Sequence, residues 1–189
     1  MGFLETHLYG DPSVVPGPVW TSPPPALVKL NCDGAWVAQT GRARGGLWGC
    51  WLRDGIGCFF SAGGTRDMRC ASALMVEAEA VRVALTRCLE CGYDKVAVES
   101  YSLSLINMLN HEVAMDLEIE GILFDILCLT QHYHKVEFMY APRKCNQAPH
   151  LVAAHVSRIG GRHSWDLVCV EWLFKCLALA QDVNCSVRI

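Results

Sequence analysis

The sequence predicts an α/β domain on a five-stranded mixed sheet: an antiparallel three-strand meander, then alternating helices and strands, with helices on both faces. Two observations predict it. Between residues 27 and 61, three short apolar runs are divided by turn signals, the pattern of strands joined by tight turns. From residue 71 the apolar period lengthens to helical spacing, and short strands then alternate with helical stretches to residue 159.

The elements follow in order. Leu27 to Asp33 is placed to be a central strand and ends at Gly34-Ala35. Gly46 to Arg53 is a second strand, closed by the hairpin signal Asp54-Gly55. Ile56 to Ser61 is a third and runs into Gly63-Gly64. Ala71 to Cys91 has apolar residues at 74, 78, 81, 85, 88 and 89, which is helical spacing, and Gly92 stops it as a C′ glycine does. Lys95 to Glu99 reads as a strand, 102–110 as a short helix and 117–132 as a longer one. Val136 to Tyr140 is the fifth strand, ended by Pro142, and 146–159 is a further helix.

The chain has 189 residues, 52% hydrophobic and 19% charged, which excludes disorder and suits one domain with short extensions. Its net charge of −3 excludes a broadly basic coat, so any nucleic-acid surface must be a local patch. Residues 1–25 hold six of the prolines and read as an extended leader. Residues 26–160 read as the domain, and 161–189 as a helical extension packed on it. That extension includes Leu167 to Ala180, an apolar run too short to span a bilayer and interrupted by Glu171 and Lys175.

Eleven scattered cysteines and the lack of a secretory signal point to a reducing compartment, cytoplasmic or nuclear. Cys88 and Cys91 have the gap of a zinc half-site, but no second pair of that spacing supplies the four ligands needed. The first six residues fit the loose N-myristoylation pattern, without the basic run that stable anchoring needs. No membrane association is expected, and the chain is expected to be a monomer.

Candidate chemistry starts at Asp33, at the end of the expected central strand. Asn31, two residues earlier, shares its face. Glycine after Asp33 permits close approach of a ligand or of backbone. An aspartate that only terminates a strand is the alternative. Glu77 and Glu79 lie about 200° apart on the predicted helix, so only one can face the sheet.

These segments resemble a family. Lys29-Leu30-Asn31-Cys32-Asp33-Gly34-Ala35 is similar to the opening strand of plant ribonuclease H-like (RNase H type-1, or reverse-transcriptase-like) domains, found in retroelement-derived proteins. Pro23-Pro24-Pro25 resembles the family's Pro-rich lead, and Leu52-Arg53-Asp54 with Gly55 and Gly57 its second hairpin. Val76 to Leu85 resembles the helix whose first glutamate is a metal ligand, a register that selects Glu77. Val96 to Ser102 resembles the strand end that reads Glu-Ser-Asp-Ser in the family, and Arg143 to Ala153 its last helix. The resemblance spans roughly residues 20–185, and the order and spacing of the motifs carry it.

The resemblance implies a ribonuclease H-like fold and a nucleic-acid-binding endoribonuclease, a hydrolase that uses Mg²⁺ or Mn²⁺ to cut RNA in RNA–DNA hybrids. It places the site at Asp33, Glu77, Tyr101 and His150, with Asp33 and Glu77 as metal ligands and Asp33, Glu77 and His150 as catalytic residues. Two divalent cations close together need several carboxylates to offset their repulsion. Tyr101 stands where the family has aspartate, and a phenol stays protonated at neutral pH, so activity is expected to be weak or lost. His150 orients water or assists product departure, or is a surface histidine on a first turn. Asn31, Arg143 and Asn146 are expected to contact nucleic acid. Arg42, Arg44, Arg53, Arg66, Arg69, Lys144, Arg158 and Arg162 are further candidates for phosphate contacts. A hybrid would be read through backbone shape and 2′-hydroxyls. The alternative is a catalytically silent nucleic-acid-binding or interaction module derived from a retroelement.

Overall fold

In a computed structural model, residues 26–39, 42–53, 59–68, 70–166 and 171–172 are described. The expected leader, the amino-terminal hexapeptide and most of the expected terminal helix lie outside them. So does the Asp54-Gly55 turn.

The elements run β1 (Val28–Gln39), β2 (Arg42–Arg53), β3 (Phe59–Met68), α1 (Ala73–Glu90), β4 (Lys95–Ser100), α2 (Leu103–Leu109), α3 (Glu120–Thr130), β5 (Lys135–Tyr140), α4 (Gln147–Ile159) and β6 (Arg162–Asp166). Element order agrees with the expected one as far as α4. The sheet has six strands, in the order β5-β4-β1-β2-β3-β6. β1 pairs antiparallel with β2 and parallel with β4, so it lies inside the sheet as expected.

Three expectations are corrected. β1 does not end at Gly34-Ala35: it pairs with β2 as far as Gln39, past a register shift between Ala35 and Val37, so Asp33 lies within the strand. The sheet is six-stranded because Arg162–Asp166 pairs antiparallel with β3, Ser61 opposite Asp166 and Thr65 opposite Arg162. That strand is short and polar, so hydrophobic alternation does not reveal it; charge on an edge strand also discourages pairing with other chains. Residues 162–166 therefore belong to the sheet and do not begin a helical extension. In addition, Gly63-Gly64 does not end β3. Both glycines pair with β2 on one side and β6 on the other, which places them in mid-strand.

Strand alternation sets the two faces. Leu30, Cys32, Val96 and Val98 join Val81, Leu85 and Cys88 of α1 and Leu123 and Ile126 of α3 in one buried cluster. Lys29, Asn31 and Asp33 alternate with them and point to the other face, where α4 lies against β1, β2 and β3. α1 is capped by the Ser72 hydroxyl, which accepts from the Met75 N–H at 3.2 Å. It ends at Gly92, whose φ of +81° suits the C′ position. The Tyr133 hydroxyl donates to the Leu85 carbonyl and ties the end of α3 to α1. Among the described residues no helix is long and apolar enough to cross a membrane.

Candidate active site

Gly34 brings the first two acids together. A Cβ there would stand 2.7 Å from Val76 Cγ1 and 2.9 Å from the Glu77 nitrogen, so only glycine lets β1 press against α1. At that contact the Gly34 N–H donates to Glu77 Oε1 at 3.2 Å, one residue beyond Asp33. Glu77 is 3% exposed, whereas Glu79 turns outward and pairs with Arg82 at 2.7 Å. Both acids fall beyond the first turn of α1, so the helix terminus does not explain Glu77.

The end of β4 supplies the next groups. The Ser100 hydroxyl donates to Glu77 Oε2 at 3.3 Å, and the Tyr101 phenol lies near enough to the same carboxyl for each to shift the other's proton affinity. The Arg143 guanidinium lies over the Tyr101 ring, 5.6 Å from its centre, within cation–π range. α4 closes the site: His150 Nδ1 is 2.9 Å from Asp33 Oδ2. Pro149, beside it, sits in the first turn, where a missing N–H costs no helix hydrogen bond.

Electrostatics follow from this packing. Burial, and then the Asp33 charge, push the Glu77 carboxyl up to about 8, against the pull of its bonds to Tyr101, Gly34 and Ser100. Burial, and then Glu77, raise the Tyr101 phenol well above its ordinary value, so it stays neutral. The hydrogen bond to Asp33 raises His150, with burial opposing.

The expected residues thus divide. Asp33, Glu77, Tyr101 and His150 converge where β4 ends beside the middle of β1, and Arg143 is exposed beside them. Asn31 and Asn146 do not reach the surface; each is 1% exposed. Asn31 Nδ2 donates to Asn146 Oδ1 at 3.2 Å, and Asn146 Nδ2 donates to the Cys32 carbonyl at 2.6 Å. They clasp the start of α4 to β1 and so position His150 against Asp33. Glu99 is committed as well: Lys29 Nζ lies 2.6 Å from Oε1, and Asn31 Nδ2 2.6 Å from Oε2. Pairing and hydrogen bonding are what a buried charge requires. Sequence reasoning gave Lys29 no role. Its place two residues before Asn31, on the same strand face, was the available signal.

Lys144, Arg158 and Arg162 are exposed, while the side chains of Arg42, Arg44, Arg53, Arg66 and Arg69 lie outside the described residues. Cys88 and Cys91 are free thiols, one buried and one exposed. Among the described residues no three Cys, His, Asp or Glu side chains are grouped to hold a metal.

A meander, three further parallel or edge strands and two acids, one from the middle of the central strand and one from the helix packed on it, define a ribonuclease H-like α/β domain. Residues 31–156 match the reverse transcriptase-like family model, and the chain belongs to that family. No curated protein sequence matches it. Its fold is similar to RNase H1 from the halophilic archaeon Halobacterium salinarum, with a TM-score of 0.63 at 20% identity over 70% of this chain and 98% of that one. It is also similar to LC11-RNase H1 from compost, in complex with RNA/DNA hybrid, with a TM-score of 0.59 at 16% identity over 68% and 94% of the two chains. The foamy viral protease-reverse transcriptase in complex with RNA/DNA hybrid gives 0.60 at 12% identity, over 83% of this chain and 22% of that longer one.

Proposed function

We propose that this chain is a nucleic-acid-binding ribonuclease H-like domain that engages RNA–DNA hybrids or other RNA-containing duplexes, with its hydrolytic site impaired by Tyr101. The observation that carries it is the Tyr101 phenol, set against the Glu77 carboxyl and beneath Arg143 where the family motif has an acid. Binding is supported by the similarity to folds solved with RNA/DNA hybrid and by Arg143 exposed beside the site.

The family implies divalent cations, Mg²⁺ or Mn²⁺, and the donors present decide whether the site suits them. Asp33 and Glu77 are the only two carboxylates of the set. Asp33 Oδ2 is engaged by His150, and both Glu77 oxygens already accept, from the Gly34 N–H and the Ser100 hydroxyl. A neutral phenol and an imidazole complete the set. Mg²⁺ calls for hard oxygen ligands, and two ions close together need several negative charges, so these residues do not fit a pair of divalent cations. The chemistry left to the chain is recognition: Arg143 offers a charged contact to phosphate, and His150, held by Asp33, presents its other ring nitrogen beside it.

A catalytically silent binding or interaction module of retroelement origin is the second reading, favoured by the same residue. The plant descent rests on the motif resemblance alone, and a cytoplasmic or nuclear monomer with its domain within residues 26–166 completes the proposal. A cleavage assay on labelled RNA–DNA hybrid, with Mg²⁺ and with Mn²⁺, separates the two readings. Slow cutting supports the first, and binding without cutting supports the second.

A further inference from the structure

The lobe formed by α2, α3 and the loop between them has a surface chemistry unlike that of the site. No Lys or Arg occurs between Lys95 and Lys135. Glu112, Asp116, Glu118, Glu120 and Asp125 are all exposed, and none forms an ion pair among the described residues. Large apolar side chains lie among them: Leu117 is 86% exposed and Phe124 66%.

The placement is regular. α3 and the turn before it face the core with Ile119, Leu123 and Ile126, at steps of four and three. Gly121 and Phe124, three apart, fall on the opposite side of the helix, and Leu117 is exposed in the turn before it. A Cβ at Gly121 would meet nothing within 4 Å, so the glycine leaves an open notch between two exposed apolar side chains. At about 100° per residue, Asp125 flanks Gly121 and Phe124 on one side and Glu120 on the other, and Glu118 is exposed in the turn before the helix. Outward helix faces are ordinarily polar; here a second apolar line faces outward inside an acidic rim.

We propose that this face of α3 docks a basic, amphipathic helical segment of a partner protein. The apolar line and notch accept the partner's apolar side chains, and the acidic rim pairs with its Lys or Arg. The rim repels the phosphates of nucleic acid and of anionic lipid. A second copy would bring the same acids face to face. The chain's own outlying segments do not match either: residues 1–25 contain no Lys or Arg, and 173–189 contain only Lys175 and Arg188.

The test uses the full chain, isotope-labelled, titrated with a Leu/Lys amphipathic helical peptide and with the same peptide carrying Glu for Lys. The Lys peptide should shift amide signals in and around 113–125 and bind at least about tenfold more tightly than the Glu peptide. Phe124→Ser, and separately Glu120→Lys with Asp125→Lys, should each weaken it roughly tenfold while circular dichroism stays unchanged. Affinity for RNA–DNA hybrid should not change in Phe124→Ser, which keeps this test apart from the nucleic-acid reading. Equal binding of the two peptides, shifts centred elsewhere, or indifference to Phe124→Ser overturns the proposal. So does sedimentation that shows a dimer dissolved by Phe124→Ser, because the face would then belong to a second copy.

Discussion

His150 Nδ1 lies 2.9 Å from Asp33 Oδ2, joining α4 to β1 across 117 positions of sequence. That bond is the main cause of the raised His150 pKa. Asp33→Asn should lower the His150 pKa, read by an NMR titration of the ring protons. A raised folded-state pKa stabilises the fold fully below the unfolded histidine value and loses that contribution as pH rises through the folded value. Asp33→Asn should therefore cost more stability at pH 5 than at pH 9. An unmoved His150 titration would break the pairing.

Glu77 contributes with the opposite consequence for a carboxyl. Its folded pKa, about 8, lies above the ordinary 4.5, so the native state keeps a proton that the unfolded chain releases. Stability is then lost progressively between pH 4.5 and about 8. Glu77→Gln preserves an acceptor for the Gly34 N–H and removes the titration. Above pH 8 the variant should be more stable than the parent, by on the order of a few kcal/mol at most. Near pH 4 the two should be alike. Urea unfolding at pH 4, 7 and 9 reads this difference.

Tyr101→Asp should raise Mg²⁺ affinity and speed hybrid cleavage at least about tenfold, since restoring an acid is worth on the order of kcal/mol where charge develops. Adding Asp33→Asn should abolish any gain. A variant that folds and binds hybrid, yet neither binds Mg²⁺ better nor cuts, makes the chain a binding module.

Hybrid affinity should fall as salt rises, because phosphate contacts release counterions. Arg143→Ala should weaken binding at low salt and reduce the slope of log affinity against log salt by roughly 1. A salt-independent affinity would contradict phosphate-driven binding.

Gly34→Ala should destabilise the fold by about 1–3 kcal/mol, as overpacking does, because the new methyl would stand 2.7 Å from Val76 Cγ1. A thermal melt of the variant reads it. An unchanged midpoint would mean that β1 and α1 separate easily, and the Glu77 contact would then lack its support.

Local pattern carried much of this protein. Hydrophobic period, with glycine, proline and turn signals, distinguished the meander from the helical region, placed α1 and its stop at Gly92, and ordered the elements through α4. Periodicity reports burial of apolar residues one turn or one strand at a time, so it also ruled that Glu77 and Glu79 could not both face inward. Motif resemblance then chose Glu77. The polar strand β6 escaped because its place depends on β3, about 100 residues earlier.

Only the tertiary structure decided the fate of the polar residues. Asn31 and Asn146 are separated by 115 positions and bury one another, so neither stretch of sequence shows that these amides are internal. Lys29 is buried because Glu99 meets it from a neighbouring strand. Tyr101 read as a lost ligand in sequence; in three dimensions it is a neutral phenol beside Glu77 with Arg143 over its ring. An apolar side chain prefers burial wherever the chain folds, and sequence alone records that preference. A polar side chain is buried only where a partner arrives to satisfy it, and the partners here come from distant strands and helices.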